Sequence, residues 1–146
     1  MAKLSKQKQV SEIIKCGKEP SYFFNTYLKI QHPVRGLIPF NTYTFQDDCV
    51  EHFIENRFNI VLKSRQLGLS TLVAAYSVWM AIFQKEKNIL VIATKLSVAQ
   101  NFITKVKSMI KSLPNWLLLP EIVSNNKQQI QFSHGSSIKA IPTSED

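Results

Sequence analysis

The chain has 146 residues, 45% of them hydrophobic and 19% charged, a balance that excludes an intrinsically disordered polypeptide and fits one globular domain or a piece of a larger one. Its 18 lysines and arginines outnumber 10 aspartates and glutamates, for a formal net charge of +8, which favours a polyanionic partner such as DNA, RNA, nucleotide or an anionic membrane; a lysine-rich solvated surface is the other reading. The two cysteines, Cys16 and Cys49, do not form a Cys-x-x-Cys pair, so free thiols in a reducing cytosol are expected rather than a zinc or redox site.

In chain order, residues 1–17 predict a short helix with Val10, Ile13 and Ile14 at helical spacing, stopped by Gly17 and Pro20. No apolar segment of signal-peptide type follows this lysine-rich start. Residues 21–30 predict a second amphipathic helix carrying Phe23, Phe24, Tyr27 and Leu28, and residues 31–43, with Pro33, Gly36 and Pro39, read as an irregular, extended arm. Residues 46–56 resume a helix with Val50, Phe53 and Ile54 on one side. Residues 59–63 read as a short apolar strand, residues 63–71 as a polar loop with one glycine, and a helix rich in alanine runs from about Ser70 to Gln84. Its apolar part, residues 72–83, is too short to span a bilayer, so no membrane association through a spanning helix is expected.

Residues 88–94 form a continuous apolar run that suits the buried centre of a parallel sheet. Residues 97–113 are amphipathic, with Val98, Phe102, Val106, Met109 and Ile110 on one face, and Pro114 ends them. Residues 129–132 and 136–141 read as two strands joined at His134-Gly135. Strands alternating with helices predict an α/β chain: an N-terminal helical and extended arm over residues 1–44, then a three-layer domain with a parallel central sheet over residues 45–146.

An apolar strand, a tight polar loop and a helix opening on Ser70-Thr71 make the architecture of a phosphate cradle, because N–H groups at a helix start point at the anion and the helix dipole favours it. Against the pattern G-x-x-x-x-G-K-[ST], Gly68 takes the second glycine and Ser70 the hydroxyl that would hold Mg²⁺, but Leu69 stands where the lysine belongs. The same register puts Lys63 at the first glycine, from where its side chain could fold back over phosphates. Arg65 is a second candidate cation whose planar fork suits phosphate oxygens. An ordinary strand–helix turn with incidental Lys and Arg is the alternative.

The run Lys63-Ser64-Arg65-Gln66-Leu67-Gly68-Leu69-Ser70-Thr71 resembles the variant Walker A loop of the large terminases of tailed phages, above all the contractile-tailed type. In that family the lysine either precedes the Ser/Thr or stands at the start of the loop, and this chain is similar to the second kind. Residues 29–40 resemble the arm before the family's ATPase core, Phe45-Gln46 its adenine-reading segment, residues 88–95 its second strand and residues 135–138 its later hairpin. The resemblance implies a P-loop NTPase-like fold. It also implies nucleotide-binding roles for Gln46, Lys63, Ser64, Arg65, Gln66, Leu67, Gly68, Leu69, Ser70 and Thr71, with Ser70 the Mg²⁺ ligand. Gln46 fits its role chemically, since an amide can pair with both the amino group and N7 of adenine.

The family's intact proteins are ATPases and endonucleases that drive duplex DNA into procapsids. The resemblance therefore implies ATP and Mg²⁺ as cofactors, and duplex DNA, the portal protein and the small terminase subunit as partners. It implies the cytoplasm of the infected host cell as location, transiently at the procapsid portal. A helicase-like DNA-dependent ATPase and a basic nucleic-acid-binding module with a degenerate loop are the other readings; Leu69 argues against the first.

The second acidic motif of such motors, an apolar run ending in Asp-Glu, is not found. Residues 117–121 imitate it, but Pro120 does not belong in a central strand. Of the three aspartates, Asp47 and Asp48 are adjacent and Asp146 ends the sequence, so no two-metal nuclease site is expected. The reading is thus an incomplete ATPase domain with no catalytic residue assigned: a fragment of marginal stability that binds nucleotide weakly and does not turn it over alone. Trp79 is expected in the core and Trp116 at a turn. His32, His52 and His134 have no partner pattern, and Lys105, Lys107 and Lys111 read as the wet face of their helix, with DNA contact as the other reading.

Overall fold

Ser5 caps the first helix, α1 (Lys6–Lys18), by accepting from the Lys8 N–H at 3.4 Å, and Lys15 and Lys18 in the last turn suit the helix dipole. Pro20 does more than stop α1, because it opens the next helix, α2 (Pro20–Tyr27), at a position where a missing N–H has no cost. The computed structural model describes residues 4–32 and 34–143; expectations that fall on residues 1–3, on Pro33 or on the Glu145-Asp146 end lie outside the described residues.

The expected irregular arm is instead a hairpin of β1 (Lys29–His32) and β2 (Gly36–Pro39), with Ile30 opposite Ile38. The ring nitrogen Nδ1 of His32 accepts from the N–H groups of both Val34 and Arg35 at 3.1 Å, and Gly36 takes the left-handed conformation that ends the turn. Gly36 and Pro39, which read as irregularity, are thus the two ends of a strand. Then come α3 (Thr44–Glu55), α4 (Leu69–Phe83), β3 (Asn88–Ala93), α5 (Leu96–Ser112), β4 (Ile122–Asn125), β5 (Gln129–Phe132) and β6 (Ser137–Pro142).

The α/β class holds, but three expectations about the sheet need correction. The sheet is mixed, in the order β3-β6-β5-β4: only β3 and β6 run parallel, while β6, β5 and β4 form an antiparallel meander. Its β5–β6 hairpin is the expected one, and β4 was not expected. Second, β3 lies at an edge instead of the buried centre, with Leu90 and Ile92 more than half exposed. Third, residues 59–63 form no strand: Ile60 and Leu62 are fully exposed, and no described residue pairs with them. Apolar composition makes a strand only where a neighbour supplies the ladder.

Among the described residues the architecture is two-layered rather than three-layered. One face of the sheet, with Ile130, Phe132, Ile138 and Ala140 buried, joins the core of α4 and α5. The other carries Leu90, Ile92, Gln131 and Lys139, all exposed. α4 is buried nearly all round, through Leu72, Ala74, Ala75, Val78, Trp79, Ala81 and Ile82, because the arm covers the side that the sheet leaves free. There Trp79 Nε1 donates to the Cys16 carbonyl at 2.9 Å, and Phe23 meets Phe83 edge-on at 5.3 Å. Tyr22 and Tyr27 both donate to Glu12 Oε2, at 2.9 and 2.6 Å, which locks α1 to α2. Trp116, expected at a turn, packs edge-on against Tyr27 at 5.6 Å.

Candidate functional site

α4 begins without a side-chain cap. Gly68, at φ +71, is its N-cap, and the first bonds of the helix run from the Thr71 and Leu72 N–H groups to the Gly68 carbonyl. Upstream, Gln66 is also left-handed, at φ 63, a conformation that costs a residue with a side chain on the order of 1 kcal/mol. Turns with left-handed residues are among the backbone shapes that can form anion-binding nests. From Ser64 to Ser70 no backbone N–H makes a close hydrogen bond among the described residues, although Arg65 and Gln66 form a turn that faces the Leu67 N–H toward the Ser64 carbonyl. All these residues except Leu69 are exposed. The loop thus sets an exposed stretch of backbone at the positive end of a fifteen-residue helix.

The expected cations stand at the loop. Lys63 is exposed, and its Nζ donates to the carbonyl of Ser64 at 3.1 Å, so the amine lies along the entrance to the loop. Arg65 is exposed in the turn itself, and Ser70 and Thr71 occupy the first turn of α4, Ser70 exposed and Thr71 half-buried. Leu69, in the place of the customary lysine, is buried and belongs to the core.

Gln46 stands apart from what its chemistry led one to expect. It is only 2% exposed. Its Oε1 accepts from the Tyr43 N–H and its Nε2 donates to the Leu67 carbonyl, both at 3.1 Å. The amide is therefore buried between the start of α3 and the loop, with one acceptor and one donor position in use. Beside it, Tyr43 and Phe45 stack at 5.7 Å and are both exposed. No local sequence signal places Gln46 against the loop, because the contact spans 21 residues.

A cavity of about 1060 Å³ opens next to the start of α4 and the carboxyl end of β3. Leu69, Val73, Val91 and Phe102 line it, with Ser70 and Lys105 among its polar groups. Carboxyl ends of parallel strands are where α/β sheets place ligands. Lys107, on the expected wet face of α5, instead donates to the Asn126 carbonyl at 2.8 Å. No group of three or more His, Cys, Asp or Glu that could hold a metal occurs among the described residues. Both ring nitrogens of His134 are buried without a hydrogen-bond partner at the β5–β6 turn. No strand forms over residues 117–121, as Pro120 led one to expect. No helix among the described residues is long and apolar enough to cross a membrane.

Among protein families, the model described as terminase large subunit, T4-like virus type, N-terminal, matches residues 60–146. The match covers more than half of the chain and includes the whole loop and α4.

Proposed function

This chain belongs to the terminase large-subunit family of the T4-like virus type, matched over its N-terminal part, and on that premise we propose that it is the ATP-binding part of the motor that packages phage DNA. In this reading residues 64–70 cradle the phosphates of ATP, and Lys63 and Arg65 neutralise them in place of the lysine that Leu69 displaces. The observation that carries it is the exposed loop from Ser64 to Gly68 that leads into α4, with left-handed Gln66 and Gly68 and no close backbone acceptor for its N–H groups among the described residues. An exposed helix start favours an anion over water through its dipole and N–H groups, and a triphosphate offers several acceptors.

The residues fit in part the group they would hold. Motors of this kind hold Mg²⁺ through the loop hydroxyl, a carboxylate and the substrate phosphates; the exposed hydroxyl of Ser70 would supply the first, and the residues that line the adjoining cavity include no carboxylate to supply the second. Bound there, the ion would draw charge from the phosphates. Lys63 is already attached to the loop by one bond to Ser64, which it can exchange for a phosphate oxygen without a long movement. The P-loop type of nucleotide site, duplex DNA as the translocated partner, the portal protein and small subunit as neighbours in the assembly, and the host cytoplasm as the place of work all belong to this proposal.

Titration with ATP and Mg²⁺ by calorimetry tests it. Charge-assisted bonds to phosphate are worth about 1.5–3 kcal/mol each, so Lys63→Ala and Arg65→Ala should each weaken binding by about tenfold or more. The reading fails if the protein shows no saturable binding of ATP, or if both variants bind as the parent does. Duplex DNA that displaces ATP from the same loop would favour a nucleic-acid phosphate site instead.

A further inference from the structure

We propose that Gln46 is the positioning residue of the loop: it aims the Gly68 N–H into the cradle rather than reading the base. The inference rests on the phosphate-binding reading above and concerns how that site is held. In a trans peptide the carbonyl of one residue and the N–H of the next point in opposite directions. The carbonyl of Leu67 is tied to Gln46 Nε2 at 3.1 Å. The Gly68 N–H, on the other side of the same peptide plane, therefore points away from Gln46. This peptide joins Leu67 to left-handed Gly68, with left-handed Gln66 one residue before, and such a peptide can flip at little cost. A flip would turn a carbonyl toward the phosphate and remove a donor. The bond to Gln46 opposes it.

Gln46 is itself rigidly held. Its Oε1 accepts from the Tyr43 N–H, and its own N–H donates to the Tyr43 carbonyl at 2.8 Å. The preceding residue, Thr42, is fixed from two sides. Its N–H donates to Asn25 Oδ1 at 2.9 Å, and its hydroxyl donates to Asp47 Oδ1 at 2.8 Å while accepting from Asn25 Nδ2 at 2.7 Å. The clamp on the loop is thus anchored in both α2 and α3. Gln46 Nε2 also lies 2.9 Å from the point where a Cβ on Gly68 would stand, so the amide and the glycine fit only together.

Inorganic tripolyphosphate, which has phosphates and no base, is the discriminating probe, used with Mg²⁺ beside ATP and GTP. Gln46→Met removes both bonds, and Gln46→Glu keeps the acceptor but sets a carboxylate against the Leu67 carbonyl. Both variants should weaken tripolyphosphate and ATP by the same factor, about tenfold, and leave the ratio of ATP to GTP affinity unchanged. Trypsin supplies a readout without ligand: in Gln46→Met, cleavage after Lys63 and Arg65 should speed up several-fold while cleavage after Lys105 and Lys111 in α5 does not, which separates a loosened loop from a general loss of stability. ATP weakened with tripolyphosphate unaffected would make Gln46 a base reader and overturn the proposal, as would unchanged cleavage. A parent protein that binds neither ligand, with cleavage still faster in the variant, would refute the phosphate site and leave the clamp standing.

Discussion

Two glycines of this chain share a backbone angle and differ in their surroundings, which allows the Gln46 contact to be weighed. Gly36 and Gly68 both sit at φ +71. Alanine in that region costs on the order of 1–2 kcal/mol. At Gly36 nothing lies within 4 Å of the site of the new Cβ, so the angle is the whole cost. At Gly68 the methyl would stand 2.9 Å from Gln46 Nε2, too close for a carbon and an amide nitrogen. The buried amide must swing away, and its bonds to Leu67 and Tyr43 go with it, each worth about 1 kcal/mol net. Gly68→Ala should therefore cost about 3 kcal/mol and Gly36→Ala about 1 kcal/mol, both read by urea denaturation under circular dichroism. In a Gln46→Ala background the excess at Gly68 should vanish, because the partner that the methyl strikes is gone. Equal costs for the two alanines in the parent would refute the reasoning, since the loop would then yield without disturbing Gln46.

Four further outcomes follow from particular contacts. Trp79→Phe leaves the buried Cys16 carbonyl without its donor and should cost about 1–3 kcal/mol in the same denaturation assay. Hydrogen bonds from Tyr27 and then Tyr22 hold the Glu12 carboxyl below its usual value of 4.5. The folded state then binds fewer protons than the unfolded one, so this stability is present above 4.5 and fades as pH falls through the lowered value. Acid titration of stability should accordingly be steeper for the parent than for Glu12→Gln. Burial pushes the Cys16 thiol up to about 12, so in native protein iodoacetamide should modify the half-buried Cys49 well before Cys16, as peptide mapping would show. Finally, Ile60→Ser with Leu62→Ser should leave the urea midpoint within about 0.5 kcal/mol of the parent, because both side chains are fully exposed, while reducing self-association seen by light scattering.

What could be read from the sequence is what short-range physics decides. The helices α3, α4 and α5 fell within a residue or two of the expected spans, because their apolar faces repeat at helical spacing and Pro114 limits the last of them. The start of α4 was legible from Gly68 followed by Ser70-Thr71, and the left-handed glycine is in place. The hairpin of β5 and β6 announced itself through Gly135, at φ +90 in the turn. The β1–β2 hairpin escapes a reading of the sequence because Pro33, Gly36 and Pro39 suggest an irregular, extended arm, whereas the His32 ring organises that turn, a side-chain contact with no propensity signature.

Strands were harder for a reason of principle. A helix closes its own hydrogen bonds, so composition and spacing carry most of its information; a strand exists only in relation to a neighbour. Residues 59–63 and 88–94 look equally apolar in the sequence. One of them finds β6 and becomes β3, and the other finds no partner among the described residues and stays extended in solvent. The same relational limit hid the role of Gln46, whose chemistry admits a base or a carbonyl equally well. The choice between them is made by a peptide 21 residues away. The electrostatics of the loop escape that limit. An exposed loop, a helix start and two cations meet within residues 63–70, so that part of the proposed site is local and can be read from neighbouring residues alone.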